Sequence, residues 1–184
     1  MELFKLGAGD LLLFMLGASV VSFSIPMYAR RKLVKDNLPV ILTSVLVSSV
    51  GGLFGTAFYV RLIQVASKTV RLSVLPRFVT TPLAIAIATM LEGNVAIAAA
   101  AVVLSGITAG TFGRNILDSL GVKSPIARGL AMGAAGQGIG VAALVPEKDA
   151  FPFAAVSMVM TAVGATTLIS IPAVKKVLLK IALQ

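Results

Sequence analysis

Leu75-Pro76-Arg77-Phe78-Val79-Thr80-Thr81-Pro82 lies inside an apolar block, Leu72 to Leu91, and its composition forbids a plain helix. Two prolines six residues apart remove backbone donors and disfavour helix at Leu75 and Thr81, with an arginine and two threonines between them. After Pro82, the run Leu83-Ala84-Ile85-Ala86-Ile87-Ala88 is a good helix with proline in its first turn. Thr81 is then the expected N-cap, and the amides beside it are left free. A helix N-terminus attracts anions, and irregular backbone at membrane depth persists only inside protein or beside water. This peptide is therefore expected to line a cavity.

Five further apolar blocks flank it: Leu11 to Ala29, Leu38 to Val60, Val95 to Phe112, Ile126 to Val145 and Ala150 to Val174. At about 18 to 25 residues each, with a rise of 1.5 Å per residue, they match a hydrocarbon core of roughly 30 Å. The alternation of a membrane barrel is absent, so helices follow. The expected fold is all-α: a polytopic integral membrane bundle of about six transmembrane segments, two of them discontinuous or kinked, in one domain spanning 1–184. Leu11 to Ala29 reads as a retained helix rather than a cleaved signal, since no small-residue cleavage site stands out.

Composition excludes more than any motif adds. The chain has 184 residues, 58% hydrophobic and 12% charged, with a mean hydropathy of +1.00. There is too little polar surface to cover a water-soluble globule of this size. It contains no cysteine and no histidine, which removes disulfides, thiol nucleophiles, Cys/His metal sites and a histidine base. No enzyme, metal or cofactor is expected. The seven acids lie at block edges or between blocks, leaving no mid-span carboxylate for a cation relay. The net charge of +9 comes from basic residues at block ends, beside lipid headgroups, and not from a nucleic-acid surface. Six straight spans would place ten Lys and Arg on one side against five, and a re-entrant third block gives the same ratio with the sides exchanged. Charge therefore does not orient the chain.

The second unusual stretch runs from Arg128 to Ala142 and holds Gly129, Gly133, Gly136, Gly138 and Gly140 with one amide side chain, Gln137. In a membrane such a helix is closely approached or unwound, and Gln137 should point into the bundle. Packing alone is the competing explanation for the glycines. The spacings Gly51 to Gly55, Gly106 to Gly110, Gly129 to Gly133 and Gly136 to Gly140 favour close crossings and self-association. Arg128 reads as a snorkelling interface residue. Arg77 is harder to place in lipid, where a central arginine costs about 2.5 to 3.5 kcal/mol on insertion scales.

Val79-Thr80-Thr81-Pro82-Leu83-Ala84, preceded by Leu75-Pro76-Arg77 and followed by Ser124-Pro125-Ile126-Ala127-Arg128-Gly129, resembles the LrgB/CidB family. The likeness extends upstream to Ile25-Pro26-Met27-Tyr28 and so covers nearly the whole chain, although family members usually carry further N-terminal hydrophobic sequence. The resemblance implies one of two functions. Bacterial members are holin-like or antiholin-like modulators of murein hydrolase export, or pyruvate transporters working with a small LrgA-type partner. The plant branch is a plastid glycolate/glycerate translocator. Ala150-Phe151-Pro152-Phe153 and Ile171-Pro172-Ala173-Val174 look more like the plastid branch, which implies the chloroplast envelope, with a bacterial inner membrane as the alternative. Where the family has a histidine in the glycine-rich helix this chain has Gln137, and where it has a serine before V-T-T-P this chain has Phe78. A group that titrates near neutral pH is thus replaced by one that does not.

The residues and the resemblance together lead to a carrier for small monocarboxylates. The anion would be held by Thr80, Thr81, Pro82, Gln137, Arg77, Gly136 and Gly138. The expected partners are a small carboxylate anion, the lipid bilayer, an LrgA-like protein and further copies of the chain. The alternative is a holin-like oligomer without substrate.

Overall fold

The computed structural model describes residues 28–29 and 31–183, and the regular structure among them is helical throughout. Block one lies outside the described residues apart from Tyr28 and Ala29. A short helix α1 (Arg31–Asp36) leads into α2 (Leu38–Leu62), which carries proline in its first turn and runs for 25 residues, about 37 Å at helical rise. Then come α3 (Lys68–Ser73), α4 (Thr81–Met90), α5 (Val95–Ser119), α6 (Pro125–Ala143), α7 (Phe151–Ser170) and α8 (Pro172–Leu183). Only α2, α5 and α7 are long and apolar enough, among the described residues, to cross a membrane.

Contacts along these three fix their directions. Ile41 and Val45 of α2 cluster with Phe153 of α7, while Leu53 and Ala57 cluster with Ala165 and Ile169, so α2 and α7 are parallel. The intervening α5 runs the other way. One end of the bundle carries α1, and the opposite end carries α3 and α8. These ends are called here the α1 face and the α8 face.

The two discontinuous blocks enter the bundle and return instead of crossing it. In block three, α3 ends at Ser73, residues 74–80 are irregular, and α4 comes back over ten residues, about 15 Å, or half a hydrocarbon core. The root of this first hairpin is closed by the Asn94 amide, which donates to Ser73 Oγ at 2.7 Å. In block five, α6 is broken at Gln137 (φ 50°, ψ −142°). A Cβ on Gly140 would lie 2.4 Å from the Met132 carbonyl oxygen, a contact impossible for residues eight apart on a straight helix. Arg128 pairs with Glu147 across the root of this second hairpin, Nε to Oε2 at 2.7 Å. The first hairpin enters from the α8 face and the second from the α1 face. A span followed by a hairpin thus occurs twice in opposite orientation.

Charge still does not orient the bundle. Arg31, Lys32, Lys35, Arg114, Lys123, Arg128 and Lys148 lie toward the α1 face, while Arg61, Lys68, Arg71, Lys175, Lys176 and Lys180 lie toward the α8 face. Block six also differs from a single helix: Ile171 is extended (ψ 116°) and Pro172 starts α8, whose Leu178 and Ala182 join the buried cluster that includes Leu53 and Ala57 of α2 and Leu72, Leu75 and Leu91 of the first hairpin. Lys175 Nζ donates to the Met90 carbonyl, a cation at the C-terminal end of α4 where the helix dipole favours it.

Of the four GxxxG spacings, three lie at crossings. Gly129 and Gly133 meet the α7 backbone at Ala150 and Ala154, Gly106 and Gly110 hold Ile139, and Gly136 packs on Ala109 while Gly140 meets Met132. Gly51 and Gly55 face open space. Packing accounts for most of the glycine run, and the hairpin turn accounts for its break.

Candidate functional site

The tips of the two hairpins meet at mid-depth. Gln137 is 4% exposed, and its Nε2 donates to the Phe78 carbonyl oxygen across 59 positions of chain. The Phe78 ring lies over Gly52, near the middle of α2, where any side chain would displace it. Gly106 and Gly136 meet near the middle of α5. The junction therefore sits about half-way along each of its neighbouring spans.

The first tip consists of two consecutive turns, Arg77 N to Val74 O at 3.2 Å and Val79 N to Pro76 O at 3.1 Å. The amides of Phe78, Thr80, Thr81 and Leu83 have no backbone acceptor among the described residues. Thr80, extended at φ −64° and ψ 146°, occupies the N-cap of α4, and its hydroxyl makes no cap bond. The cap is thus Thr80 rather than Thr81: Pro82 fixes its own φ and biases Thr81 but leaves Thr81 as the first helical residue. Both threonines are half-buried and Pro82 is exposed.

The second tip holds a non-glycine residue in a region of φ/ψ that glycine prefers. Such a conformation costs about 1 to 3 kcal/mol and persists only where its surroundings impose it. Here the side chain supplies the reason, since the amide reaches Phe78. Gln137 Oε1 is buried without a partner among the described residues, an unmet acceptor at the junction. Backbone and side-chain roles separate cleanly: Gln137→Gly is expected to melt at a higher temperature than Gln137→Ala, by the equivalent of about 1 kcal/mol. Equal melting temperatures in detergent would show that the backbone there is unstrained.

The remaining sequence candidates divide. Gly136 is buried, and a Cβ there would lie 2.8 Å from Ala109 Cβ, so packing against α5 accounts for a glycine at this position. Gly138 is half-buried with nothing within 4 Å of the place a Cβ would take. Arg77 is exposed and lines a cleft of about 440 Å³ between α5 and α6, together with Ser105, Thr108 and Ala135. Of the predicted residues it alone lines that cleft; Thr80, Thr81 and Gln137 do not. The Arg77 guanidinium makes no hydrogen bond or ion pair among the described residues, its backbone amide alone bonding Val74 O.

Arg128 does not snorkel. It is 8% exposed, with Nη2 to Glu147 Oε1 at 2.8 Å, Nη1 to Asp118 Oδ1 at 2.6 Å and Nη1 to the Val122 carbonyl at 3.0 Å. Arg114 Nε adds a bond to Glu147 at 3.0 Å. The hydrogen bonds from Arg128 hold the Glu147 carboxyl below its ordinary pKa, against the opposing effect of burial, with its charge and then Arg114 adding to the shift. This cluster, Ser105 and Thr108 were not legible as site residues, because a straight fifth span would put Arg128 and Glu147 on opposite sides of the bilayer. No acid among the described residues lies near the tips. Asp36, Glu92, Asp118, Glu147 and Asp149 all flank the helices or sit at their outer ends.

A family model for the LrgB-like family matches residues 4–177. Plastidal glycolate/glycerate translocator 1, chloroplastic, of Arabidopsis thaliana is 40% identical over 177 residues, covering 95% of this chain and 34% of that protein. The chain thus spans about a third of the length of this relative. No solved structure matches it.

Proposed function

The chain belongs to the LrgB-like family, and on that premise we propose that it is a membrane transporter of small monocarboxylates of the glycolate/glycerate type, acting without catalysis in the plastid envelope. The observation that carries this reading is the junction of two half-depth hairpins inserted from opposite faces. At that junction the N-terminus of α4 carries amides without a backbone acceptor and the Thr80 hydroxyl, with Arg77 adjacent and no carboxylate nearby among the described residues. Such a field favours an anion over a cation. A 2-hydroxy acid would also offer a hydroxyl donor, the group that the buried Gln137 Oε1 lacks. The Gln137 to Phe78 contact would act as the seal between the faces, made and broken as the hairpins move.

The test is uptake of labelled glycolate into proteoliposomes. Thr81→Val and Gln137→Leu each remove groups that bond an anion or its hydroxyl, worth about 1.5 to 3 kcal/mol for a charged partner, so each should reduce uptake roughly ten- to a hundred-fold. Unchanged uptake in both variants would sink the site. The holin-like alternative predicts leakage without saturation or competition among hydroxy acids, whereas the carrier predicts both.

A further inference from the structure

We infer that the bundle holds a water-filled, anion-selecting vestibule that opens to the α1 face and ends at Arg77. This inference rests on the transporter reading and adds to it an access path, a direction and two residues, Ser105 and Thr108. The cleft of about 440 Å³ follows α5 from Leu104, near its midpoint, to Leu117 near the α1 face, and follows α6 from Ala135 to Ala131. Arg77 stands at its inner end. A second cleft, of about 580 Å³, lies on the other side of the inbound limb of the second hairpin, walled by Ser44 and Ser48 of α2 and floored by Ala127 and Ala131. The two share Ala131, so the exposed face formed by Ala127, Ala131 and Ala135 is the floor between them.

Three features make this face wet. First, a guanidinium at mid-depth without an ion pair or hydrogen bond is strongly disfavoured against hydrocarbon, and that of Arg77 has neither among the described residues. Second, each otherwise apolar wall carries a pair of hydroxyl residues, Ser44 and Ser48 on one and Ser105 and Thr108 on the other. Third, the floor is alanine, which leaves room that larger side chains would fill. The irregular backbone of residues 74–80 requires the same setting, because open backbone at membrane depth survives only inside protein or along a water-filled cavity. At the inner end, the Gln137 amide donating to Phe78, one residue beyond Arg77, closes the path toward the α8 face. The structure is therefore the form open to the α1 face. A carboxylate entering there meets the Arg77 guanidinium, with the Ser105 hydroxyl beside it and Thr108 Oγ1, which donates to the Leu104 carbonyl at 2.8 Å, left to accept from the hydroxyl of a short hydroxy acid.

The chain has no cysteine, so single reporters can be placed in it without background. Ser105→Cys, Thr108→Cys and Ala131→Cys would be made in the full chain, with Val163→Cys, exposed on α7, as the outward-facing control. Each would be reacted in proteoliposomes with membrane-impermeant methanethiosulfonates carrying a sulfonate or an ammonium group. The expected result is rapid modification of the three vestibule positions but not of Val163→Cys, with the sulfonate favoured roughly tenfold after correction for intrinsic reactivity. Adding Arg77→Gln should remove that preference while leaving modification intact. Absence of labelling at all three positions, or efficient disulfide dimers through Thr108→Cys, would overturn the vestibule by showing lipid or a second copy on this face. Labelling without charge preference would overturn the role of Arg77. Charge-selective labelling that glycolate neither slows nor accompanies with uptake would keep the vestibule and remove the monocarboxylate reading instead.

Discussion

Arg128→Met is expected to lower stability by about 3 kcal/mol and the apparent melting temperature in detergent by roughly ten degrees. The guanidinium makes bonds to Glu147, Asp118 and the Val122 carbonyl that join the inbound limb of the second hairpin to the connection after its return limb and to the end of α5. Its loss leaves Glu147, only 22% exposed at its side chain, facing Arg114 alone. The figure sits at the lower end for a broken buried pair because Glu147 and Asp118 retain some water. Arg128→Leu with Glu147→Leu removes both buried charges and should recover much of the loss, since a buried pair replaced by apolar groups is often neutral. Additive losses in the double variant would count against the root pairing.

The same pair sets an acid limit. Glu147 has its folded-state pKa lowered below the ordinary carboxylate value, first by the hydrogen bonds from Arg128. A group with a depressed folded pKa contributes fully above its unfolded pKa and loses that contribution as the pH falls through the folded one. Stability should therefore hold at neutral pH and decline below the usual carboxylate range. Glu147→Gln should be weaker at neutral pH and lack this part of the acid decline.

Gly133→Ala is expected to cost about 3 kcal/mol or more, with Gly133→Val giving little monodisperse protein on size exclusion. An added Cβ at Gly133 would lie 2.1 Å from the Ala154 carbonyl oxygen, 2.8 Å from its carbonyl carbon and 2.9 Å from its Cα. All three are backbone atoms, so relief requires moving α7 away from α6 and not a side-chain rotation. Separation there also strips cover from Met132 and Ala154, which share one buried cluster. Gly51→Ala, on the α2 span, is the control. With nothing within 4 Å of its added Cβ, it should gain up to about 1 kcal/mol from helix propensity. Similar melting temperatures for Gly133→Ala and Gly51→Ala would refute the close α6–α7 crossing.

The positions of the breaks were legible in the sequence and their consequences were not. Pro76 and Pro82 mark where helix is lost and regained, because proline's missing donor and fixed φ act locally. The glycine-rich stretch marks the second break to within a few residues, and its one amide, Gln137, occupies the turn itself. At Gly136 spacing alone cannot tell a glycine that admits a solute from one that admits Ala109, the neighbour the structure places there. Arg128 looked interfacial because its partner lies 19 residues on, a distance that a straight helix would make unbridgeable.

The sequence by itself determined that this is an all-helical membrane chain with two interrupted segments and no chemistry from cysteine, histidine or a mid-span acid. Those properties follow from composition and from backbone rules that operate within a few residues. Only the tertiary structure decided that the interrupted segments turn back, that their tips meet at Gln137 and Phe78, and that Arg77 faces a cleft. Twenty apolar residues bury the same surface as one crossing or as two half-depth limbs. Hydropathy is therefore indifferent between them, and the choice falls to contacts between distant residues, Asn94 with Ser73 and Arg128 with Glu147.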